Sequence, residues 1–320
     1  MGARLLAAGG LLWLLAKHVN FGRAAEIMGH ASLPFLAATL IVLLAANVAV
    51  ASRWHLILSA EGPSPGARRL LKIVLVGLFF NQVLPTGVGG DAVRAWRCRK
   101  LGIGLGTAIR SILLDRACGF FVLVVIYAAC LPGLLHILPE AQQRNGVVAV
   151  FGAVLLGLLA LLFLDSLPAA LLRNRMIAPL AELSRESRRL FAHPRRCCAV
   201  LGLSTISIGL TILAFDLVAN SVGSRLPLPD WIMIVPPVTL IQLIPITPAG
   251  WGVREMVLII ALASFGVAAE TALAISVLLG LGLIAIGVPG GVIWLIDWDI
   301  AQPSPRPKPS LSARPQSSGP

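Results

Sequence analysis

Two short segments of this chain repeat one pattern 160 residues apart, and each interrupts an apolar run. They are Gln82–Arg94, QVLPTGVGGDAVR, and Gln242–Arg254, QLIPITPAGWGVR. Proline and glycine end or break helices, so both segments predict a broken helix. In a membrane chain, such interruptions at corresponding places in two halves point to a substrate pathway. The shared pattern is Q-x-[L/I]-P-x4-G-x3-R, which aligns Gln82 with Gln242, Pro85 with Pro245, Gly90 with Gly250 and Arg94 with Arg254.

The composition is that of a membrane protein. Hydrophobic residues make up 57% of the chain and charged residues only 12%, whereas charged residues approach a quarter of a soluble domain. The mean hydropathy is +0.89. The net charge of +12 is spread over loops between apolar runs, which favours topology signals and contacts with anionic lipids. A nucleic-acid partner is therefore not expected.

The apolar runs predict an all-α transmembrane bundle of about six full spans plus two broken segments. A helix needs roughly 20 apolar residues to cross a bilayer. Leu5–Ala16 is interpreted as a short first span, because no small-residue cleavage site follows it before Lys17. The other predicted spans are 34–59, 117–138, 147–164, 197–223 and 272–296, and the half-helices are 70–84 and 231–246.

Arginine placement predicts the topology. Seven arginines in the loop 165–196 assign that loop to the cytoplasm. Basic residues on both sides of 73–93 then make this segment a re-entrant hairpin, and the second hairpin enters from the opposite face. The expected domain is 1–298, an inverted repeat of halves near 1–145 and 146–298, with both termini cytoplasmic and a disordered Pro/Ser-rich tail at 299–320. Broken backbone at membrane depth must line protein or a wet cavity, so a central polar cavity is expected.

The first break carries a candidate anion site. Asp91 follows Gly89 and Gly90 and is expected to be the N-cap of the next helix, with Arg94 and Arg97 at steps of three residues. A helix N-terminus with nearby arginines binds anions such as a lipid phosphate. The alternative is that Asp91 only caps the helix and pairs with Arg94, while the basic residues that follow are a solvated positive-inside cluster.

Other charged residues lie within or beside the apolar runs. Arg254 and Glu255 follow the second break; adjacent residues face about 100° apart on a helix, so they need not pair. Anchoring at the outer interface is the alternative for them. Asp115 and Arg116 abut the run that starts at 117. Asp216 lies inside 197–223 and is interpreted as a proton-coupling site, a counter-ion for Arg254 or Arg94, or part of a buried salt bridge that fixes helix packing.

The candidate residues for binding or gating a lipid head group combine these charges with the two breaks. Asn81, Gln82 and Gln242 are expected chiefly to satisfy freed backbone groups. No metal-ligand spacing, cofactor motif or catalytic signature is visible in the sequence, so none is expected. The candidates are Gln82, Pro85, Gly89, Gly90, Asp91, Arg94, Asp115, Arg116, Asp216, Gln242, Pro245, Gly250, Gly252, Arg254 and Glu255.

Three ordered motifs resemble the transmembrane region of lysylphosphatidylglycerol synthases, also called flippase-like or UPF0104 membrane proteins. They are Asn81 with Leu84-Pro85, Gly89-Gly90-Asp91 and Arg94; Asp115-Arg116 with Gly119; and Pro245, Gly250-Trp251-Gly252 and Arg254-Glu255. The resemblance extends to about residue 298. It implies movement of a lipid or lipid-linked head group between leaflets. The soluble aminoacyl-transferase domain of the full synthases has no counterpart here, so tRNA-dependent aminoacylation is not expected.

The leading prediction is a lipid transporter of the inner membrane that moves an anionic phospholipid or lipid-linked head group. Arg94 and Arg254 would hold the phosphate alternately, and membrane lipids would be the main partners, with a lipid-biosynthesis enzyme as a further partner. The alternative is a membrane-embedded enzyme or accessory subunit of polyprenyl-, hopanoid- or glycolipid synthesis, with Asp91 and Asp115 as its acid/base pair. A third hypothesis is a non-transporting scaffold.

Overall fold

The computed structural model describes residues 19–62, 64–84, 89–137, 141–163, 184–188, 192–242 and 252–296, and all regular secondary structure in these ranges is helical. This confirms the all-α prediction. The predicted first span Leu5–Ala16 and the tail 299–320 lie outside the described residues. The helices are α1 (Phe21–Gly29), α2 (Leu33–Leu58), α3 (Ala67–Val83), α4 (Gly89–Lys100), α5 (Leu105–Ile137), α6 (Ala141–Phe163), α7 (Pro194–Ser221), α8 (Leu228–Gln242), α9 (Val253–Ala263) and α10 (Ala269–Ile296).

Four of the described helices are long and apolar enough to cross a bilayer: α2, the part of α5 from Leu105 to Gly133, α7 and α10. The chain is therefore a multi-pass membrane protein. The apolar stretch of α6, Arg144–Gly157, is shorter, so the expected number of six full spans is not reached in the described residues. Helix α5 begins at Leu105 rather than near 117, and Asp115 and Arg116 lie inside it because both are paired with charges on other helices.

The sequence repeat extends to whole helices. A shift of 160 residues carries α2 onto α7, α3 onto α8, α4 onto α9 and α5 onto α10, with helix ends that differ by only a few residues. The buried cores of the two halves correspond as well. Equivalent core pairs are Trp54 and Ala214, Leu58 and Val218, Val74 and Ile234, Cys98 and Leu258, and Ile112 and Ala272.

Helices α2 and α7, which are equivalent in the repeat, run in opposite directions. The backbone N–H of Ser32 donates to the carbonyl of Ser221 at 2.8 Å, and the Arg53 guanidinium donates to the Ser204 hydroxyl at 3.0 Å. The start of α2 thus lies at the end of α7, and later residues of α2 contact earlier residues of α7. These equivalent helices are therefore antiparallel. Helix α10 packs on α3, and its equivalent α5 packs on α8. Equivalent elements that run in opposite directions define an inverted repeat.

Helices α3 and α4 form the first hairpin and touch through glycines. A Cβ added to Gly90 would overlap the carbonyl oxygen of Gly77, and a Cβ added to Gly77 would lie 2.9 Å from the Cγ atom of Arg94. The absence of side chains at both positions therefore lets Arg94 lie flat against α3. In the second half α8 packs on α9. The face of the membrane from which each hairpin enters stays a prediction.

Candidate functional site

Arg94 lies at the centre of a buried charge network in the first half. It is 4% exposed, and its Nη1 donates to Asp91 Oδ1 at 3.1 Å while its Nη2 donates to Asp115 Oδ2 at 3.3 Å. The guanidinium lies 4.2 Å from the centroid of the Trp54 ring. Its Nε is buried and has no hydrogen-bond partner. One donor of Arg94 is therefore left without an acceptor.

Asp115 on α5 also accepts a hydrogen bond from a second arginine, which sequence reasoning did not select. Arg53 Nε donates to Asp115 Oδ1 at 2.7 Å, and Arg53 Nη1 donates to Ser204 Oγ on α7. Arg53 and Asp115 are both buried. Arg53 could have been selected as a charged residue inside the apolar run 34–59. Charged side chains are costly to bury in a membrane, so those that occur there usually have a functional or structural role.

The sequence predicted that Asp91 is the N-cap of α4. In the structure Asp91 instead lies in the first turn of that helix. The side chain that satisfies the start of the helix belongs to Asn81, whose Oδ1 accepts the N–H of Gly90 at 2.9 Å. This agrees with the backbone-satisfying role expected of Asn81. Asp91 is consequently free to accept two hydrogen bonds from the exposed Arg116, from Nε and Nη2, each at 3.2 Å.

The network is electrostatically unbalanced. It contains three arginines and two aspartates, Arg53, Arg94, Arg116, Asp91 and Asp115, and therefore one excess positive charge. All five side chains line a cavity of about 170 Å³, together with Asn47, Asn81 and Gly77. The excess charge belongs to the exposed Arg116, whereas the charges of Arg53 and Arg94 are balanced by the two aspartates. The cavity is therefore suited to a small anion such as a phosphate group.

The second half has a corresponding site, in which the described residues contribute one arginine and one carboxylate. Glu255 Oε1 accepts from Arg254 Nη2 at 2.9 Å and from the Ser276 hydroxyl at 2.9 Å, and all three residues are buried. Neighbours on a helix thus do pair here, because both side chains reach Ser276 on α10. Glu255 also accepts the N–H of Gly252, the N-cap of α9, whose φ of 88° favours glycine.

The two arginine sites differ in their acidic residues. Under the shift of 160 residues, Asp115 corresponds to Ile275, Arg116 to Ser276 and Arg53 to Leu213. One carboxylate, Glu255, replaces the two aspartates that surround Arg94. The charge excess is thus confined to the first site among the described residues, although Arg94 and Arg254 are equivalent in sequence.

Asp216 stands apart from both arginines. It is half-buried in α7, and Asn220 Nδ2 donates to its backbone carbonyl at 2.8 Å. Within the described ranges it forms no salt bridge with Arg94 or Arg254, so the counter-ion interpretation is not realised in this arrangement.

The remaining candidates lie at the two breaks. Gly89 is buried at the start of α4, and Gln82 is partly buried in the last turn of α3. Gln242 is the last residue of α8. Pro85, Pro245 and Gly250, together with the side chain of Gln242, lie outside the described residues.

Comparison with known proteins places these features in a family. The sequence model of the lysylphosphatidylglycerol synthase TM region matches residues 2–290. A UPF0104 membrane protein of Pyrococcus horikoshii is 23% identical over 315 residues, which cover 89% of this chain and 93% of that protein. A UPF0104 membrane protein of Methanocaldococcus jannaschii is 27% identical over 124 residues, 36% of this chain and 37% of that protein. The chain belongs to the lysylphosphatidylglycerol synthase transmembrane-region family.

Proposed function

We propose that this protein is a transporter that moves an anionic phospholipid or a lipid-linked head group between the leaflets of the cell inner membrane, with both termini in the cytoplasm. The observation that carries the proposal is the net positive cavity that the buried Arg94 shares with the exposed Arg116, beside the broken helix of an inverted repeat. Transporters built on inverted repeats place their substrate sites at such broken helices.

In this proposal the phosphate of the lipid takes over part of the role of the two aspartates. Arg94 and the exposed Arg116 bind phosphate oxygens, assisted by the positive N-terminal end of α4. The free Nε of Arg94 supplies a donor that the resting network does not use. When the phosphate leaves, Asp91 and Asp115 again hold the guanidinium groups, so no buried arginine is left without a counter-charge.

The second half would provide the alternate site. Arg254 is neutralised by Glu255 in this structure, so it can bind phosphate only if Glu255 releases it. The exchange of Arg254 between Glu255 and the phosphate would act as the gate. Gln82, Gln242 and the glycine and proline breaks would surround the path between the two arginines. The half-buried Asp216 in α7 stays a candidate for proton coupling.

The family supports the class of substrate. The family is named after a synthase of lysylphosphatidylglycerol, and the head group of that lipid contains a phosphodiester together with a lysyl group that carries two amines. A phosphodiester carries one negative charge, which would balance the single excess positive charge of the Arg94 network.

The test is lipid scrambling by purified protein in liposomes that contain a labelled anionic phospholipid. Arg94→Ala is expected to slow scrambling at least tenfold, and Arg254→Ala to slow it as well. Arg99→Ala is the matched control, because Arg99 lies on the same helix but is exposed. Equal scrambling by all four proteins would sink the mechanism.

The enzyme or accessory-subunit alternative rests on Asp91 and Asp115, which line the same cavity. Each carboxylate accepts hydrogen bonds from two arginines, so proton transfer to a substrate would first require a buried ion pair to break. Lipid analysis of a deletion strain separates the hypotheses. A missing lipid indicates an enzyme or its subunit, whereas an unchanged inventory with altered leaflet exposure indicates transport.

A further inference from the structure

A larger cavity is lined by residues that neighbour the Arg94 network in sequence, on α2 and α5. This cavity, called the first vestibule here, has a volume of about 520 Å³ and is lined by Ile57, Glu61, Arg110, Leu114, Glu186 and Arg196, among others. Ile57 lies one turn beyond Arg53 on α2, and Leu114 directly precedes Asp115 on α5. The first vestibule and the Arg94 site are thus lined by neighbouring positions of the same two helices.

One guanidinium in the first vestibule is shared by two carboxylates from different segments. Arg110 Nε on α5 donates to Glu186 Oε1 at 2.5 Å, and Arg110 Nη2 lies 3.8 Å from Glu61 Oε2 just after α2. The second oxygen of Glu186 is buried and accepts no hydrogen bond. His193 and Arg196 complete the titratable and charged lining. Of the two carboxylates, Glu61 thus has the longer and weaker contact with Arg110.

The opposite end of the repeat provides an internal comparison. A second vestibule of about 610 Å³ is lined by Arg23, Glu26, His30, Asn220 and Ser221, among others. The shift of 160 residues carries Glu26 onto Glu186, but it places Ser221 at the position of Glu61 and Glu270 at that of Arg110. The shared guanidinium between two carboxylates therefore belongs to the first vestibule alone among the described residues, and it distinguishes the two ends of an otherwise symmetric fold.

We propose that Glu61, Arg110 and Glu186 form a proton-binding site in the wall of the first vestibule. Glu61 takes the proton from water, and Glu186 keeps its ion pair with Arg110. Protonation removes the repulsion between the two carboxylates, so the end of α2 packs more firmly against the segment 184–188. Loss of the proton restores the repulsion and loosens this wall. Control of lipid passage by that proton rests on the proposed function.

The electrostatics place the exchange in the neutral range. Burial and the nearby Glu186 carboxylate raise the pKa of Glu61 from 4.5 to about 7, against the opposing effect of Arg110. A carboxyl with such a pKa changes its charge around neutral pH, where an ordinary surface glutamate stays ionised.

The first test is infrared spectroscopy of the full-length protein in nanodiscs between pH 5 and 9. The wild type should show a protonated carboxyl band that disappears with a midpoint near pH 7, and Glu61→Gln should lack it. Glu186→Gln should lower the midpoint, because it removes a like charge. Glu26→Gln is the matched control from the second vestibule and should leave the midpoint unchanged. A band that persists in Glu61→Gln, or a wild type without one, overturns the proposal.

The second test is scrambling of a labelled anionic phospholipid in liposomes at pH 6 and pH 8. The wild-type rate should differ several-fold between these values, and the rate of Glu61→Gln should not. A pH-independent wild-type rate overturns control of passage by the proton. If the infrared band titrates but no lipid moves at any pH, the proton site stands and the transport function fails, so the two failures are distinguishable.

Discussion

Arg53 on α2 donates a hydrogen bond to Ser204 on α7 at 3.0 Å while it holds Asp115 at 2.7 Å. One side chain therefore joins the charge network of the first half to the equivalent helix of the second half. Helices α2 and α7 are antiparallel and pack against each other over much of their length. A shift of one helix along the other would therefore move Arg53 and alter its contact with Asp115, and through Asp115 the position of Arg94.

Removal of the Ser204 hydroxyl should destabilise the protein. Ser204→Ala leaves a buried donor of Arg53 without its acceptor, which costs on the order of 1–3 kcal/mol for a hydrogen bond to a charged group. Thermal unfolding in detergent should show a lower midpoint. Thr205→Ala is the control, because Thr205 is exposed and bonds only the carbonyl of Leu201 in its own helix. A similar change in both variants would contradict a specific role for Ser204.

Gly90→Ala should disrupt the first hairpin. The new Cβ would overlap the backbone carbonyl oxygen of Gly77 and would lie 2.5 Å from the Asn81 side-chain oxygen. The helices must separate to relieve the overlap, at a cost of roughly 1–3 kcal/mol or more. Gly104→Ala is the control, since its Cβ would meet only Thr107 at 3.9 Å. The yield of monodisperse protein and the unfolding midpoint should fall for Gly90→Ala alone; a normal yield and midpoint would contradict the close approach.

The outline of the fold could be predicted because its signals are local. Apolar length marks α2, α7 and α10, and the paired Pro/Gly breaks mark the half-helices. The start of α5 could not be predicted in this way. Asp115 and Arg116 interrupt its hydropathy, and only their partners on α2 and α4 make a continuous helix favourable at that point.

The contacts of Arg94 could be predicted from the sequence only in part. Arg94 and Asp91 are three residues apart on one helix, so their contact can be expected from the sequence. The Arg53–Asp115 contact spans 62 residues, and no local pattern encodes it. Adjacent helix positions face about 100° apart, so Arg254 and Glu255 need not pair, yet Arg254 Nη2 donates to Glu255 Oε1 at 2.9 Å.

Glu61→Gln should stabilise the protein at high pH and have little effect at low pH. Burial and Glu186 hold the pKa of Glu61 near 7, above its ordinary 4.5, so the folded state favours the protonated form. This contribution to the free energy of unfolding is fully present below about pH 4.5 and is lost as the pH rises through about 7. Because the site is partly solvated, the gain of the uncharged variant at pH 8 should be only about 1 kcal/mol.

The measurement is the difference in unfolding midpoint between Glu61→Gln and wild type at pH 5 and pH 8. The control is Glu26→Gln, which changes the equivalent end of the other half. A gain from Glu61→Gln that is the same at both pH values would indicate a packing effect rather than a change in protonation.

The Arg254–Glu255 pair should be a strong stabiliser only while both charges are present. Glu255→Gln keeps an oxygen that can accept the N–H of Gly252, but it removes the carboxylate that forms an ion pair with the buried Arg254, which costs about 3–5 kcal/mol. Arg254→Met in the same chain removes that charge, so the double variant should recover most of the loss. Glu270→Gln, in the first turn of α10, should change stability by less than about 0.5 kcal/mol.

The double variant also separates stability from transport. If Arg254 only fixes the packing of α9, then Arg254→Met with Glu255→Gln should scramble lipid at the wild-type rate once its unfolding midpoint has recovered. If Arg254 is the alternate phosphate site, the same stable protein should scramble at least tenfold more slowly, because a methionine cannot bind a phosphate oxygen. A chain that is folded, thermally stable and fully active would restrict phosphate binding to Arg94 and its network.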